Sequence, residues 1–400
     1  MKNKIIALSG QPVSGKGTNV KMLKEKLENR GYTKQNIHII STGEEFRSYF
    51  NLIITLVKNL GNSIKEDEII NNEKMRKIME NEEYRKTVIE SIVKLKRSNI
   101  DLSNFSVEQA NNLKELKDLR KVVDTLIDQN IADLGKELSK EERPGEIWII
   151  DSRLAFHNIP ESFSVRLTTN KNVAGERLFN DENRGEEDNK YETIEEAKEA
   201  REKRRIGEQK RYKKRYGVDL EDENNYNLII DTSYSNVNDI SDTILKCLDY
   251  YLEDKKFAKK WTSPKTLLPL QSERDTFEKA LYSLEEMEES INHYGFKPDE
   301  PIEIVEVDGI KYIIEGHHRN FASARLGNTL VPYEVLAKDD EKLTKYGNST
   351  AKQRVMGGSR SFLWGHEMFL DTPEESFSYD KIYPGIYDKL KEQEEQGFEI

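Results

Sequence analysis

A short apolar run, Ile5-Ile6-Ala7-Leu8-Ser9, leads directly into Gly10-Gln11-Pro12-Val13-Ser14-Gly15-Lys16-Gly17-Thr18, and a helical pattern follows over Asn19–Arg30. Glycines at Gly10, Gly15 and Gly17 allow a tight turn from strand to helix. Backbone N–H groups then converge at the helix N-terminus, beside the Lys16 ammonium and the Thr18 hydroxyl. That cluster of dipoles and charge suits a chain of phosphates, with Lys16 on the β- and γ-phosphates and Thr18 on Mg²⁺. The spacing, G-x-x-x-x-G-K-x-T, differs from the commonest form because Gly17 stands between Lys16 and Thr18. The bland alternative is a glycine turn that happens to precede a helix; strand, loop and helix in the right order favour the phosphate reading.

A strand feeding such a loop belongs in a parallel sheet, and the rest of the N-terminal sequence agrees. Apolar runs bounded by turn signals recur at Lys4–Ser9, Ile37–Ile40, Glu146–Ile150, Phe163–Leu167 and Asn227–Ile230, with helical patterns between them. This alternation predicts an α/β domain, a doubly wound parallel five-stranded sheet over residues 1–252, closed by a helix from Asp239 to Leu252. Residues 51–144 read as a helical insertion, since Val88, Ile92 and Leu95, and then Leu113, Leu116, Leu119, Val122, Val123 and Leu126, recur at threes and fours. The charged stretch 253–262 reads as a linker. A small α+β domain is expected over 263–338, with a helix over Thr276–His293, strands at Pro301–Val307 and Tyr312–Glu315 around an Asp308-Gly309 turn, a helix at Arg319–Leu326 and a strand at Val331–Leu336. A C-terminal extension, 339–400, shows aromatic patches without a clear period.

Charge narrows the partners. A net charge of −11 gives no global attraction to nucleic acid or to an anionic membrane, so DNA contact, though open, would need a local basic patch. The single cysteine, Cys247, cannot form an internal disulfide. The longest apolar stretch, Leu52 to Val57, falls far below the roughly 20 residues of a membrane span, and the amino terminus shows no signal-peptide core. A cytoplasmic protein without membrane contact is expected.

Later segments sharpen the reading of the first domain. Ser41-Thr42-Gly43-Glu44-Glu45-Phe46-Arg47 follows the second strand, and Ile150-Asp151-Ser152-Arg153-Leu154-Ala155 the third. Lys210-Arg211-Tyr212-Lys213-Lys214-Arg215-Tyr216-Gly217-Val218-Asp219 precedes Tyr226-Asn227-Leu228-Ile229-Ile230-Asp231-Thr232-Ser233. With the G-K-G-T loop, this ordered set resembles the cytidylate kinases of the short, archaeal type. The resemblance implies that Gly10, Gly15, Lys16, Gly17 and Thr18 bind ATP, that Thr18 and Asp151 serve Mg²⁺, and that Arg47, Asp151 and Arg153 form the acceptor site for a nucleoside monophosphate. It also implies a lid whose arginines, Arg177, Arg204 and Arg205 with Arg184 or Arg211, join Lys16 and Arg153 around the transferring phosphoryl group. The physics agrees, because phosphoryl transfer requires positioning and cationic neutralisation rather than a covalent residue. The family has glycine where Ser152 stands, and a shorter acceptor region. The enlarged region would suit a larger nucleotide or a partner protein.

A second constellation lies at Glu315-Gly316-His317-His318-Arg319, at a strand-to-helix junction. Backbone amides, a basic side chain and a helix dipole again point one way. Residues 263–338 resemble the ParB/sulfiredoxin superfamily, and the G-H-H-R form is similar to its free serine kinases. The resemblance implies a second bound nucleotide at Glu315, Gly316, His317, His318 and Arg319. Gln271 stands where those relatives carry a carboxylate base, and Glu273 is the nearest substitute. The plain alternative is a capped helix with satisfied histidines. Metal binding is disfavoured, since adjacent turn residues point apart and no third ligand is evident.

The expected function is ATP-dependent phosphoryl transfer to CMP or dCMP, with a second nucleotide-binding domain. Alternatives are a kinase acting on a modified nucleotide in DNA, free serine kinase activity in the C-terminal domain, or a non-catalytic regulator that senses nucleotides.

Overall fold

A computed structural model describes residues 3–43, 116–181, 191–270 and 283–356, with 383, 385, 386 and 388. Arg47, Arg184, Gln271, Glu273 and the 51–115 part of the insertion lie outside these residues, as does most of the tail beyond 356. In chain order the main elements are β1 (Lys4–Gly10), α1 (Lys16–Asn29), β2 (Ile37–Ser41), α2 (Leu116–Lys140), β3 (Ile147–Asp151), α3 (Ala155–Asn158), β4 (Phe163–Thr168), α4 (Lys171–Phe179), α5 (Ile194–Tyr216), β5 (Leu228–Asp231) and α6 (Val237–Leu252). They continue with β6 (Lys260–Thr262), β7 (Leu267–Leu268), α7 (Leu284–Tyr294), β8 (Ile302–Val307), β9 (Ile310–Glu315), α8 (His317–Arg325), β10 (Val331–Lys338) and α9 (Ala351–Met356). Among the described residues, no helix is long and apolar enough to cross a membrane.

The chain divides into two compact units, one comprising residues 1–9 and 32–162, the other 10–31 and 163–400. In the first, β3 pairs in parallel with both β1 and β2, Ile147 lying opposite Lys4 and Ile37, and Asp151 opposite Leu8 and Ser41. Ile147 to Asp151 is buried throughout, the pattern of a strand covered on both faces. Ile131 and Leu138 of α2 pack with Ile5, Ala7, Trp148 and Ile150, and with Ala155 and Ile159 of the next turn. His38 stacks on the Trp148 ring with centroids 4.1 Å apart.

In the second unit, β4, β5 and β6 run parallel, Val165 facing Leu228 and Ile230 facing Trp261. α1 and α6 pack together, and the buried Asn19 side chain accepts the Ser241 hydroxyl at 3.2 Å. The sheet does not stop where the linker was expected. Residues 260–262 form β6, which pairs antiparallel with β10, Trp261 lying opposite Pro332. Trp261 is buried and donates its indole N–H to the Ala258 carbonyl at 3.1 Å. A three-residue strand inside a charged run has too few apolar positions to show a period. Beyond it, β10 pairs in parallel with β8, β8 antiparallel with β9, and β9 in parallel with β7. The β8–β9 turn has Asp308 and Gly309 at φ 52° and 77°, the left-handed pair that a two-residue hairpin requires. The α8 helix begins at His317, two residues before the expected start.

Gly135 on α2 tests the packing of the first unit, because a Cβ there would lie 2.9 Å from the Asn158 carbonyl and 2.9 Å from Ile159 Cγ1. Gly135→Val is expected to cost about 1–3 kcal/mol through overpacking. The check is the urea midpoint, compared with that of Gly207→Ala on α5, where a Cβ meets nothing within 4 Å.

Candidate functional site

The glycine loop follows β1 and is braced by its own unit. The Gln11 amide donates to the Leu167 carbonyl at 3.0 Å, and the Ser14 amide to the Gln11 carbonyl at 3.2 Å. A Cβ on Gly10 would lie 2.5 Å from Ser14 Oγ and 3.0 Å from the Leu167 oxygen, so only glycine fits. Gly15 caps α1 at φ 81°, a left-handed conformation that side chains resist. Val13, a β-branched residue, also sits at φ 66°, a strained backbone of the kind that concentrates at functional sites. Lys16, Gly17 and Thr18 make the first turn of α1, where a helix cannot satisfy its own N–H groups. The Thr232 hydroxyl, just past β5, donates to the Ser14 carbonyl at 3.2 Å and holds the loop from the other side.

Two arginines stand around this loop, one in contact with it and one bonded to the Thr232 that holds it. Arg177 on α4 donates to the Thr232 hydroxyl at 3.2 Å and to the Thr232 carbonyl at 2.5 Å; burial pulls its pKa below the ordinary value, against the pull of Asp231. Arg201 on α5, only 3% exposed, donates to Gln11 Oε1 at 2.6 Å and to the Thr169 carbonyl at 3.1 Å. Burial lowers its pKa too, with Glu202 opposing. α4 and α5 are close enough that a Cβ on Gly175 would meet Lys198 Cγ at 2.2 Å. Buried Ser14 Oγ and Arg201 Nε have no hydrogen-bond partner. Two orphaned donors around a glycine loop at a helix N-terminus are what a phosphate group would satisfy, so the residues present fit a nucleoside triphosphate.

The lid arginines expected from the sequence divide. Arg177 bonds to Thr232, whereas Arg204 on α5, 56% exposed, pairs with Glu208 of its own helix at 3.1 Å. Arg205 forks onto Glu202 at 2.6 Å and also pairs with Glu221, contacts that raise its pKa, the Glu202 hydrogen bond most. Arg201, one turn earlier, was not anticipated. In the sequence nothing separates it from its charged neighbours; in the structure Ala197 and Arg201, four apart, are the buried residues of this helix.

In the first unit, Asp151 at the end of β3 is nearly buried. Its carboxylate accepts the Ser41 hydroxyl at 3.1 Å, and its carbonyl accepts the Thr42 hydroxyl at 3.1 Å. Ser152, where the resembling family has glycine, accepts the Leu154 amide on its hydroxyl at 3.3 Å and donates its own amide to Leu8 at 3.2 Å. The Arg153 carbonyl accepts the Ser9 hydroxyl at 3.5 Å. The strand end thus orders Asp151, Ser152 and the Arg153 backbone beside Ser41 and Thr42.

At the second constellation, Gly316 caps α8 at φ 101°, and the Glu315 carboxylate accepts its amide at 3.1 Å. His317 is buried, and its Nε2 accepts the Leu270 amide at 3.1 Å. Arg319 donates to the Glu300 carbonyl, and to the Pro301 carbonyl at 3.3 Å, with its guanidinium over the Phe296 ring. The groups expected to meet a phosphate here are engaged by the chain itself.

The profile of the cytidylate kinase-like family matches residues 58–234. A cytidylate kinase of Methanocella arvoryzae is 27% identical over 245 residues, which make up 61% of this chain and 97% of that protein. Among solved structures, an uncharacterized protein from Eubacterium ventriosum is 14% identical with a TM-score of 0.34, over 62% of this chain and 99% of its own. A Thermus thermophilus protein is 15% identical with a TM-score of 0.28, over 64% of this chain and all, 100%, of its own. The family profile and the Methanocella sequence both point to the nucleotide-kinase class.

His317 gives a pH test. Burial, with a smaller push from His318, lowers its pKa from 6.5 to about 4, and protonating Nε2 would break the bond to Leu270. A depressed folded pKa means that the stability is fully present above pH 6.5 and is lost as pH falls from there towards 4. The loss is expected to reach at most about 3 kcal/mol. Chemical denaturation across that window should show His317→Gln losing less stability on acidification than the wild type.

Proposed function

We propose that this protein is an ATP-dependent nucleotide kinase, with a nucleoside monophosphate, CMP or dCMP, as acceptor. The observation that carries the reading is the loop itself: a glycine-tight turn at the N-terminus of α1, with Lys16 on its first turn, buried Arg201 bonded to Gln11 and half-buried Arg177 bonded to the Thr232 that holds the loop. The family match over 58–234 supports it. In this reading the loop amides and Lys16 hold the β- and γ-phosphates. The terminal phosphoryl group moves from the β–γ bridging oxygen to an oxygen of the acceptor phosphate, and the arginines neutralise charge on the equatorial oxygens. Thr18 would hold Mg²⁺ and Asp151 would act on the metal's water; the ion would supply further charge neutralisation. Arg47 and Arg153 grip the acceptor phosphate.

A second reading, transfer to a nucleotide within a nucleic-acid strand, is favoured by the end of α5. There Lys210, Arg211, Lys213 and Lys214 are exposed, and Tyr212 stacks on Tyr216 with ring centroids 6.0 Å apart. Cations interleaved with aromatic rings suit a strand of stacked bases.

Lys16→Ala is expected to lower transfer from labelled ATP about 100-fold or more with an unchanged thermal midpoint, since it removes a charge made for the phosphates and no core contact. Retained activity would remove the assignment. With the wild type, CMP or dCMP should accept phosphate and cytidine should not, because the contacts to the acceptor phosphate would be left unmade. Faster transfer to an oligonucleotide than to any free monophosphate would select the second reading.

A further inference from the structure

Gln11 is a loop residue whose side chain, rather than its backbone, ties the phosphate loop to α5. Its Oε1 accepts from Arg201 Nη2 at 2.6 Å and from the Thr169 amide at 3.2 Å. Arg201 Nη2 also donates to the Thr169 carbonyl at 3.1 Å, so the inner end of this guanidinium is held by two neutral oxygens. The carboxylate it touches is Glu202, which receives Arg201 Nη1 at 3.2 Å. Glu202 is engaged more heavily by Arg205, whose Nε donates to both its oxygens at 3.1 Å and whose Nη2 donates at 2.6 Å. Arg201 Nε, buried, has no partner.

A cation removed from water is normally paired with an anion, because desolvation otherwise costs several kcal/mol. Here the pairing is incomplete, and the contact that fixes the guanidinium at the loop is an amide. An amide oxygen orients a guanidinium without cancelling its charge. A carboxylate in the same place would bind it more strongly and neutralise it.

We propose that Gln11 is a positioning residue that holds Arg201 against the phosphate loop as a cation still available to the phosphate oxygens of the bound nucleotide. The proposal rests on the kinase reading above and adds to it the group that completes the cationic side of the site, Arg201, and the residue that sets its place and charge. Arg204 and Arg205, turned to Glu208 and to Glu202 and Glu221, do not supply that cation.

The test uses the full-length protein with Gln11→Glu and Gln11→Met. For each, ATP binding is measured by calorimetry, kcat and KM for ATP by transfer to the best acceptor, and the thermal midpoint without nucleotide. Gln11→Glu is close to isosteric and strengthens the contact with Arg201, so its thermal midpoint should equal or exceed that of the wild type. Its kcat/KM for ATP should nevertheless fall about tenfold or more, because the arginine's charge is spent on the new carboxylate. Gln11→Met removes the acceptor and should also lose kcat/KM, with no gain in thermal midpoint. A purely structural role for Gln11 predicts the opposite for Gln11→Glu, with stability and activity moving together. Wild-type ATP affinity and turnover in Gln11→Glu, or in Gln11→Met should the glutamate variant fail to fold, would overturn the inference and leave the kinase reading standing. A wild type that neither binds ATP nor transfers phosphate would remove both.

Discussion

A guanidinium buried to 3% exposure holds together the region around the phosphate loop. Arg201 can stay out of water only if its N–H groups find oxygens, and the structure meets that demand at Nη1 and Nη2 with the loop side chain of Gln11, the backbone at the end of β4 and the neighbouring Glu202, leaving Nε without a partner. Three segments distant in sequence are thereby tied to one planar group. Arg177 repeats the logic from α4 on the carbonyls of Thr232 and Ser233, and Thr232 in turn reaches the Ser14 carbonyl. The loop is therefore braced mostly by groups that carry no negative charge, and a site braced in that way keeps its positive potential for an anion.

The end of β3 follows a different rule. Parallel strands buried on both faces leave their C-terminal ends as the place where polar side chains can emerge, and Asp151 emerges there. Its carboxylate and carbonyl are fixed by the hydroxyls of Ser41, the last residue of the adjacent β2, and Thr42, just past it. The Ser152 hydroxyl hydrogen-bonds the turn that follows, which adds a contact at the strand end.

The C-terminal region shows how far contacts within the chain engage a similar local sequence. A glycine-capped helix with adjacent histidines and an arginine has the composition of an anion site. Here the Glu315 carboxylate meets the Gly316 amide, His317 accepts from Leu270, and Arg319 reaches back to the chain before β8. β6 then joins this region to the parallel strands through Trp261, so a stretch of charged composition becomes part of the sheet.

The sequence by itself determined the strand–loop–helix around Gly15 and Lys16, the apolar strands β1 to β5, the Asp308-Gly309 hairpin and the position of Asp151 at a strand end. Each is a local matter: glycine where φ must be positive, apolar runs where both faces are covered, hydroxyls and carboxylates after them. Only the tertiary structure decided which arginine of α5 faces the loop. Arg201, Arg204 and Arg205 lie within one helical stretch of nearly uniform charge, and their separation depends on the face that α4 covers through the close approach at Gly175 and Lys198. It also decided that His317 and Arg319 are occupied by the chain and that residues 260–262 are a strand, because hydrogen bonds to carbonyls and amides far away in sequence leave no trace in the residues that make them.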